Sequence, residues 1–323
     1  MKSPLKKFFH LLALPITIVA PAVRAQSVTP ELFAPGVISG PVNDAAPAFT
    51  PDGKTVYFHR GGPGLGLFIL VSHWKNGKWS EPDIAPFSGQ WQDLEPAMAP
   101  DGSYMIFSSN RPATPGGQAM DGDWGGTHYP QKGGNLWRVD RKGDGWSEPY
   151  RLPAVINGSN ATFSPAITAD GSLYFMKPVA TGKFHIYRSA YRNGQYEEPL
   201  PVSFTAADSV GDVDPAVSPD DSFLVFSSGR SGLKRAELFI VFRENGQWGV
   251  PINLGEEVNR SAGNVEAKLS PDHRRLYFAT GYLQNATYPT DSRTIKQKLE
   301  ESEWDTGASN IWSVPLDKWL HGR

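Results

Sequence analysis

The chain of 323 residues contains no cysteine. This absence excludes disulfide bonds, thiolate metal sites, a thiol nucleophile and a lipid anchor attached through a cysteine at a cleavage point. An excess of either charge is also missing, since 31 Lys and Arg stand against 33 Asp and Glu. A nearly neutral chain has no basic field for nucleic acid, so we expect no nucleic-acid partner.

Long apolar runs are also absent after the N-terminus. The N-terminal run, Phe8 to Val19, follows three lysines and leads to small residues that end at Ala25. About 12 apolar residues interrupted by a proline are too few to span a bilayer, which needs roughly 20. The pattern predicts a secretory signal peptide over residues 1–25. We therefore expect a mature chain of residues 26–323, periplasmic or secreted, with no membrane span after cleavage.

What the chain does contain is a short motif in five copies. A fixed unit that recurs at intervals of roughly 50 residues predicts a repeat architecture. Such a repeat builds a scaffold, so we expect specific chemistry where the copies differ. The copies are PAFTPDGKTVYF from Pro47, PAMAPDGSYMIF from Pro96, PAITADGSLYF from Pro165, PAVSPDDSFLVF from Pro215 and AKLSPDHRRLYF from Ala267.

Each copy predicts the inner half of a four-stranded antiparallel sheet. In the second copy, Pro100-Asp101-Gly102 separates two β-rich runs, and Asp-Gly in that position favours a hairpin. A second hairpin follows in four copies, with Asn76-Gly77 as its turn in the first, and carries an aromatic residue that we expect to cover the neighbouring blade. Four strands in up-and-down order form one blade of a β-propeller.

The fifth copy lacks the second hairpin and ends with one further strand from Asn310. The missing outer strand is predicted at the other end of the chain, where Leu32 to Ile38 precede the first copy. Pairing of these two segments removes the exposed edges of an open ring. We predict an all-β, five-bladed propeller of four-stranded antiparallel blades, closed by the N-terminal strand, in a single domain. The alternative is six blades, with a degenerate blade in residues 281–308.

The consensus P-A-x-S-P-D-G-x-x-L-Y-F, followed by Ser108 to Arg111 in one copy and Ser227 to Arg230 in another, resembles the WD40-like PD40 repeat of TolB-type periplasmic β-propellers. The G-x-W-x-x-P hairpin is similar to theirs as well. The resemblance covers residues 30–315 and implies a propeller that serves as a protein-interaction module of the cell envelope. Related propellers accompany peptidases or are called sialidase-like. This chain differs in having five copies, where TolB-type propellers have six blades, and two unusual insertions.

The insertions, residues 111–133 and 281–308, follow the second strands of the second and fifth copies. In a propeller, these connections lie on the same face as the entries to the inner strands. Binding residues concentrate on loops that a rigid scaffold holds. We therefore predict a binding site on this face, the insertion face, with Trp124, His128 and Tyr288 as contributors. The alternative is that the insertions only pad the ring.

Acidic residues cluster where the inner strands begin. Six carboxylates around one channel mouth predict a site for a polar ligand or for a cation such as calcium, which takes several oxygen ligands. The structural alternative is that they pair with basic residues that end the second strands on the same face. The acidic residues are Asp44, Asp93, Glu95, Asp212, Asp214 and Glu266, and the basic ones are Arg60, Arg111, Lys177 and Arg230.

Catalysis by the same carboxylates is the enzyme alternative. Five-bladed propellers host glycoside hydrolases, which use one carboxylate as acid and another as base or nucleophile. The third blade has Thr162 and Ser164 where such an enzyme needs a carboxylate. A sialidase-like site would need three arginines, such as Arg60, Arg111 and Arg230, but the aspartate box that accompanies them is missing. The candidate hydrolase residues are Asp44, Asp93, Glu95, Asp212 and Glu266.

Together these patterns favour a binding module over an enzyme. We expect an exported periplasmic monomer that binds an envelope protein or a carbohydrate-like ligand without a cofactor. The predicted ligand-binding residues are Asp93, Glu95, Arg111, Trp124, His128, Asp212, Asp214, Arg230 and Tyr288.

Overall fold

The five repeat copies form the two inner strands of five antiparallel sheets in the computed structural model, which describes residues 28–62, 64–261, 263–281 and 308–321. The predicted signal peptide and nearly all of the second insertion lie outside these residues. The innermost strands are Asn43–Phe49, Asp93–Met98, Phe163–Ile167, Asp212–Val217 and Val265–Leu269. The second strands are Thr55–Gly62, Tyr104–Ser109, Leu173–Pro178, Phe223–Ser228 and Arg275–Thr280.

A third strand pairs with each second strand, and two short pieces form the outer edge of blades 1 to 4. The pieces are separated by a proline, such as Pro82, which cannot donate to a ladder. In the second hairpin of blade 1, Asn76 and Gly77 have φ of 53° and 80°, as the predicted type I′ turn requires. The third strands are Gly66–Lys75, Asn135–Lys142, Phe184–Ser189, Glu237–Glu244 and Asn310–Pro315. The outer pieces are Lys78–Trp79 and Asp83–Ile84, Gly145–Trp146 and Tyr150–Arg151, Gln195–Tyr196 (paired with Tyr191–Arg192) and Leu200–Pro201, and Gln247–Trp248 and Ile252–Asn253.

The N-terminal strand Glu31–Leu32 completes the fifth blade. It pairs antiparallel with the third strand of that blade, so that Leu32 lies opposite Trp312. Phe33 follows and packs edge-on against Tyr277, with 5.1 Å between ring centroids. The predicted closure by the N-terminus is confirmed, although the closing strand is Glu31–Leu32 and overlaps the predicted segment, Leu32 to Ile38, only at Leu32. The ring has five blades rather than six. This pairing covers an edge that would otherwise be open to other chains.

One apolar cluster lies between each pair of neighbouring blades, including blades 5 and 1. The second-hairpin aromatics cover the preceding blade, as predicted. Trp146, for example, packs on Tyr57 and donates its indole N–H to the tyrosine hydroxyl at 3.0 Å. The last residue of every repeat copy is a phenylalanine with no exposed surface. These residues are Phe58, Phe107, Phe175, Phe226 and Phe278.

Few other elements occur in the described part of the chain. Two helices of four residues, Glu256–Asn259 and Asp317–Leu320, lie after the fourth blade and at the C-terminal end. The first insertion forms an extra hairpin from Gly122–Trp124 and Thr127–Tyr129. None of the described helices is long and apolar enough to cross a membrane.

Candidate functional site

The aspartates that begin the inner strands of blades 1, 2 and 4 each pair with an arginine of the same blade. None of the three carboxylates has exposed surface. Ser109 and Ser228 donate a further hydrogen bond to the carboxylates of blades 2 and 4. The pairs join Arg60 Nε to Asp44 Oδ1 at 2.6 Å, Arg111 Nη2 to Asp93 Oδ2 at 2.9 Å, and Arg230 Nη2 to Asp212 Oδ2 at 2.8 Å.

The same arginines hold the main chain that arrives from the preceding outer strand. Arg60 donates to the carbonyl of Ile38 at 2.8 Å, and Arg230 donates to the carbonyl of Phe204 at 3.2 Å. Arg111 makes the corresponding bond in blade 2. Because these charge-assisted bonds tie the inner strands to the connections, they stabilise the junctions between blades. For these three aspartates the geometry agrees with the alternative that the carboxylates pair with the basic residues at the ends of the second strands.

In blades 3 and 5 the aspartate is replaced by Thr162 and Asn264, and asparagines hold the connections instead. Asn157 accepts the main-chain N–H of Leu136 at 2.8 Å and donates back to its carbonyl at 2.9 Å. Asn259 forms the same pair of bonds with the third strand of blade 4. Junctions of both kinds are therefore made by side chains that bind the main chain of the protein.

Each inner strand carries a bulge one residue before the repeat proline or its equivalent. The register with the second strand shifts there in all five blades. The bulged residues have φ between 50° and 57°, a left-handed conformation that costs a residue with a side chain about 1–2 kcal/mol. Because the same strained bulge recurs in all five blades, it is a regular part of the fold and not a local irregularity. The bulged residues are Ala46, Glu95, Ser164, Asp214 and Glu266.

The bulged residues of blades 2 to 5, together with His59 of blade 1, form a closed chain of contacts that we call the axial ring. Glu95 Oε2 accepts the main-chain N–H of Ser164 at 2.7 Å, and Ser164 Oγ donates to Asp214 at 2.7 Å. Asp214 Oδ2 accepts the main-chain N–H of Glu266 at 2.9 Å. His59 closes the ring, because its Nε2 lies 3.4 Å from Glu266 Oε2 and its Nδ1 accepts the N–H of Glu95 at 3.1 Å.

The axial ring contains three carboxyl groups and one imidazole. Burial raises the pKa of Glu95, Asp214 and Glu266, and the neighbouring carboxylates raise it further for Glu95 and Glu266. Burial lowers the pKa of His59 to about 3, so its imidazole is neutral and its proton sits on Nε2, facing Glu266. The buried ammonium of Lys268 opposes the rise for all three carboxylates. The ring therefore favours partly protonated carboxylates over three full negative charges.

Next to the ring, on the side of the Pro-Asp-Gly turns, the channel contains a cavity of about 120 Å³. Its walls are mainly prolines and apolar side chains of the repeat, including Pro47 and Pro96, and Lys268. Within the described residues, no three His, Asp or Glu side chains are placed to hold a metal ion. Calcium stays a prediction of the sequence.

The first insertion is anchored over blade 3 by its aromatic residues. Trp124 stacks on Tyr129, with centroids 4.1 Å apart and planes at 17°. It also packs edge-to-face against Phe163 and Phe184, with ring centroids 6.3 Å and 5.6 Å away. Trp124 therefore holds the hairpin in place, and its indole ring is largely covered by these neighbours.

His128 lies at the exposed end of the same hairpin, between two aspartates. Its Nδ1 is 2.8 Å from Asp123 Oδ1, and its Nε2 is 3.6 Å from Asp121 Oδ2. The hydrogen bond with Asp123 raises the pKa of His128. Asn160, from the connection that leads to blade 3, donates to the other oxygen of Asp123 at 2.7 Å. The hairpin is thus fixed to the neighbouring connection by polar contacts as well.

Between the hairpin and this connection lies a polar cleft of about 480 Å³. Its walls come from the start of the insertion, the third and outer strands of blade 2, and the connection to blade 3. Arg151 contributes the one basic side chain of the described lining, and Asp121 contributes the one acidic side chain. The lining residues are Met120, Asp121, Asn135, Arg151, Asn157, Gly158, Ser159 and Asn160.

The structure thus divides the predicted site residues between separate places. Asp93, Arg111, Asp212 and Arg230 form ion pairs, Glu95 and Asp214 belong to the axial ring, and Trp124 and His128 lie on the hairpin. Tyr288 lies outside the described residues. Sequence reasoning missed Arg151 and the asparagines around it. The signal was present, because the outer strands of blades 1, 3 and 4 carry Ile84, Pro201 and Asn253 where blade 2 carries this arginine.

No family model and no curated protein sequence matches the chain. Solved structures do match. A thermostable family-43 glycoside hydrolase has a TM-score of 0.53 at 12% identity, over 86% of this chain and 92% of its own. A TolB-like protein from Agrobacterium tumefaciens has a TM-score of 0.46 at 17% identity, over 78% and 74%. TolB from Acinetobacter baumannii has 0.40 at 20% identity, over 69% of this chain and 47% of its own.

At such identities the similarity is one of fold. TolB-type proteins, which the repeat resembles, are found again among the similar structures, and a glycoside hydrolase shares the fold as well. This chain spans about half the length of the Acinetobacter TolB. Functional conclusions for this chain therefore rest on its own side chains.

Proposed function

We propose that this chain is an exported periplasmic binding module that holds a carbohydrate-like ligand at its insertion face. One observation carries the proposal: the first insertion is anchored over the neighbouring blade and borders an open cleft of about 480 Å³ that is lined mainly by polar residues. Sites for small ligands commonly have volumes of about 300–1,000 Å³. An anchored loop on a rigid scaffold lets a ligand bind without first ordering the loop.

The chemistry of the cleft suits a ligand rich in hydroxyl groups. Asn160 and Ser159 offer an amide and a hydroxyl, Arg151 offers only donors, and Asp121 offers only acceptors. A sugar hydroxyl both donates and accepts, so it can pair with each of these groups. The described lining has a single large apolar side chain, Met120, which favours a polar ligand over a hydrophobic one.

An envelope protein is the second candidate. The repeat resembles TolB-type propellers, for which a protein-interaction role is expected. The exposed end of the hairpin offers a surface for such a partner, because the side chains of His128 and Asp123 are 57% and 59% exposed. A protein would cover this end of the hairpin, whereas a saccharide would enter the cleft.

Hydrolysis by the carboxylates of the inner strands has less support. Asp44, Asp93 and Asp212 are held in buried ion pairs. Glu95 and Glu266 belong to the axial ring, beside a cavity of about 120 Å³. A glycosidase needs two carboxylates roughly 5–9.5 Å apart around a sugar in an open pocket. We therefore expect binding without turnover, and a panel of chromogenic glycosides checks this.

The insertion can be tested by comparison with blade 1, where only three residues, 63–65, join the second strand to the third. A variant in which residues 112–133 are replaced by such a short connection removes the hairpin and opens the cleft, while it keeps Arg111 and its ion pair with Asp93. Val250→Ser serves as the control, because Val250 is 84% exposed at the outer edge of blade 4. The mature chain and both variants would be applied to a glycan array and to immobilised envelope proteins.

We expect the mature chain and Val250→Ser to bind the same glycans and the shortened variant to lose them. Glycan binding that survives the replacement would place the site elsewhere. Capture of an envelope protein without any glycan binding would replace the first candidate with the second. Export is checked separately, because a protein recovered from the periplasm should begin at Gln26.

A further inference from the structure

We infer that the cleft under the first insertion binds an acidic saccharide, with the guanidinium of Arg151 holding the sugar carboxylate. The inference rests on the proposed function and names its ligand class. Its basis is that Arg151 brings a positive charge to the cleft and has no acidic partner among the described residues.

Arg151 is held by neutral groups on two sides. Its Nε donates to Asn135 Oδ1 at 2.7 Å, and its Nη2 donates to the carbonyl of Asn157 at 3.0 Å. Both asparagines are buried, and Asn135 is fixed in turn by a bond from its Nδ2 to the carbonyl of Ser159 at 2.6 Å. The guanidinium is therefore oriented before any ligand arrives, while its remaining N–H groups have no acceptor among the described residues. Such preorganisation lowers the entropic cost of binding.

A comparison with blade 4 shows that the repeat does not require this charge. There Asn253 takes the place of Arg151 and Glu237 takes the place of Asn135, and Asn253 Nδ2 donates to Glu237 Oε2 at 2.9 Å. The same glutamate pairs with Arg235 at 3.2 Å. In blade 2 the donor is instead the charged Arg151, and its acceptor is the neutral amide of Asn135. Blade 2 therefore carries an unneutralised cation, and it is the blade whose insertion stands beside the cleft.

Three other arginines of the insertion face differ from Arg151, because each has an acidic partner. Arg60, Arg111 and Arg230 each bind an aspartate within 3 Å. Partial burial lowers the pKa of Arg151, but a guanidinium remains charged at neutral pH. Its planar donors match the two oxygens of a carboxylate, which gives a strong and directional pair.

The rest of the cleft selects a saccharide over a simple anion. Asp121 places a negative charge in the same lining, and it would repel a multiply charged ion such as phosphate. Its Oδ1 accepts the N–H of Gln131, but its Oδ2 can accept a hydrogen bond from a sugar hydroxyl, as can the amide oxygen of Asn160 and the hydroxyl of Ser159. The volume of about 480 Å³ also exceeds the needs of a small inorganic anion. A sugar with one carboxylate and several hydroxyls satisfies both the basic and the acidic side of the lining.

The test uses a uronic-acid oligosaccharide and the same oligosaccharide with its carboxyl groups reduced to alcohols. Binding to the mature chain, Arg151→Gln and Arg141→Gln would be measured by calorimetry at low and high salt. The glutamine at position 151 can still donate to Asn135, which favours folding, and thermal unfolding checks it. Arg141 is the charge-matched control, since it lies exposed over the Trp146 ring in the same blade.

We expect the acidic form to bind at least tenfold more tightly than the reduced form, because a hydrogen bond to a charged group is worth at least that factor. Arg151→Gln should lose this preference, Arg141→Gln should keep it, and salt should weaken binding of the acidic form alone. If both forms bind equally, or Arg151→Gln keeps the preference, the inference is wrong while the proposed function stands. If neither form nor any neutral glycan binds, both fail.

Discussion

Glu95 in blade 2 accepts the main-chain N–H of Ser164 in blade 3 at 2.7 Å. The same bond recurs between Asp214 in blade 4 and the N–H of Glu266 in blade 5. Blade 1 has an alanine at its bulge, and there His59 from the second strand accepts the N–H of Glu95 instead. A side chain of the preceding blade thus satisfies the main chain that these bulges release. The axial ring joins neighbouring blades, and its buried charges respond to pH.

The first prediction concerns Glu95 itself. Glu95→Ala leaves the hydroxyl of Ser108 without this acceptor and leaves the N–H of Ser164 only its longer bond to Ser108 Oγ at 3.2 Å. A buried polar group without its partner costs about 1–3 kcal/mol, so we expect Glu95→Ala to be less stable by about that amount. Glu95→Gln keeps an acceptor oxygen and removes a negative charge near Asp214, so it should retain nearly the stability of the wild type at neutral pH. Urea unfolding measures both variants. Equal stability of the two would mean that these hydrogen bonds contribute nothing.

Asp44 should make the fold less stable as pH rises. Burial raises its pKa from 3.8 to about 6, against the effect of Arg60. The folded state therefore holds the proton of Asp44 more tightly than the unfolded chain does. This proton adds its full amount to the free energy of unfolding below pH 3.8, and the added stability is lost as pH rises through about 6. The shift corresponds to about 3 kcal/mol. In Asp44→Asn this dependence should disappear, as unfolding free energies between pH 4 and 7 would reveal. Parallel curves for the two proteins would contradict it.

His59 should act in the opposite direction. Burial, together with the charge of Lys268, lowers its pKa from 6.5 to about 3. The unfolded chain then binds a proton below pH 6.5 that the folded state does not bind until about pH 3, so stability falls with acidification over this window, by up to about 5 kcal/mol. His59→Gln, which has no titrating group, should lose less stability between pH 7 and 4 than the wild type does. An unchanged acid profile would show that His59 is not held neutral.

The N-terminal strand is the subject of the fourth prediction. Removing residues 26–34 from the mature chain exposes the edge of Asn310–Pro315 and takes Phe33 away from Tyr277. We expect a lower melting temperature and association of the chains, because an open edge pairs with other chains. Light scattering and thermal unfolding measure both effects. Phe33→Ala is the matched control, since it keeps the strand pairing and should stay monomeric while losing stability. A truncated chain that is monomeric and fully stable would contradict the closure.

Much of the fold could be predicted because its determinants are local. Pro-Asp-Gly and Asn-Gly restrict the chain to particular turns, and the apolar residues between them follow the period of strands. The missing hairpin of the last copy also indicated that a strand near the N-terminus closes the ring. These features depend on short segments, so repeating them five times made the prediction redundant.

The candidate site was less predictable, because its geometry depends on contacts between distant segments. Arg151 lies 30 residues from Asp121, and nothing in either neighbourhood shows that one cleft contains both. The residue before a proline usually takes an extended conformation, yet Glu95 has φ of 54° there. The bulge is stabilised by Ser164 and His59, which come from other blades. A local pattern contains no information on such partners.

The sequence by itself determined the number of blades, their strand order and the way the ring closes, because turn chemistry and strand periodicity act within a dozen residues. Only the tertiary structure decided which charges are neutralised. It paired Asp44, Asp93 and Asp212 with arginines, gathered Glu95, Asp214 and Glu266 around a neutral histidine, and left Arg151 beside an open cleft. Pairing depends on distance and burial in three dimensions, and these follow from how the five blades pack around their axis.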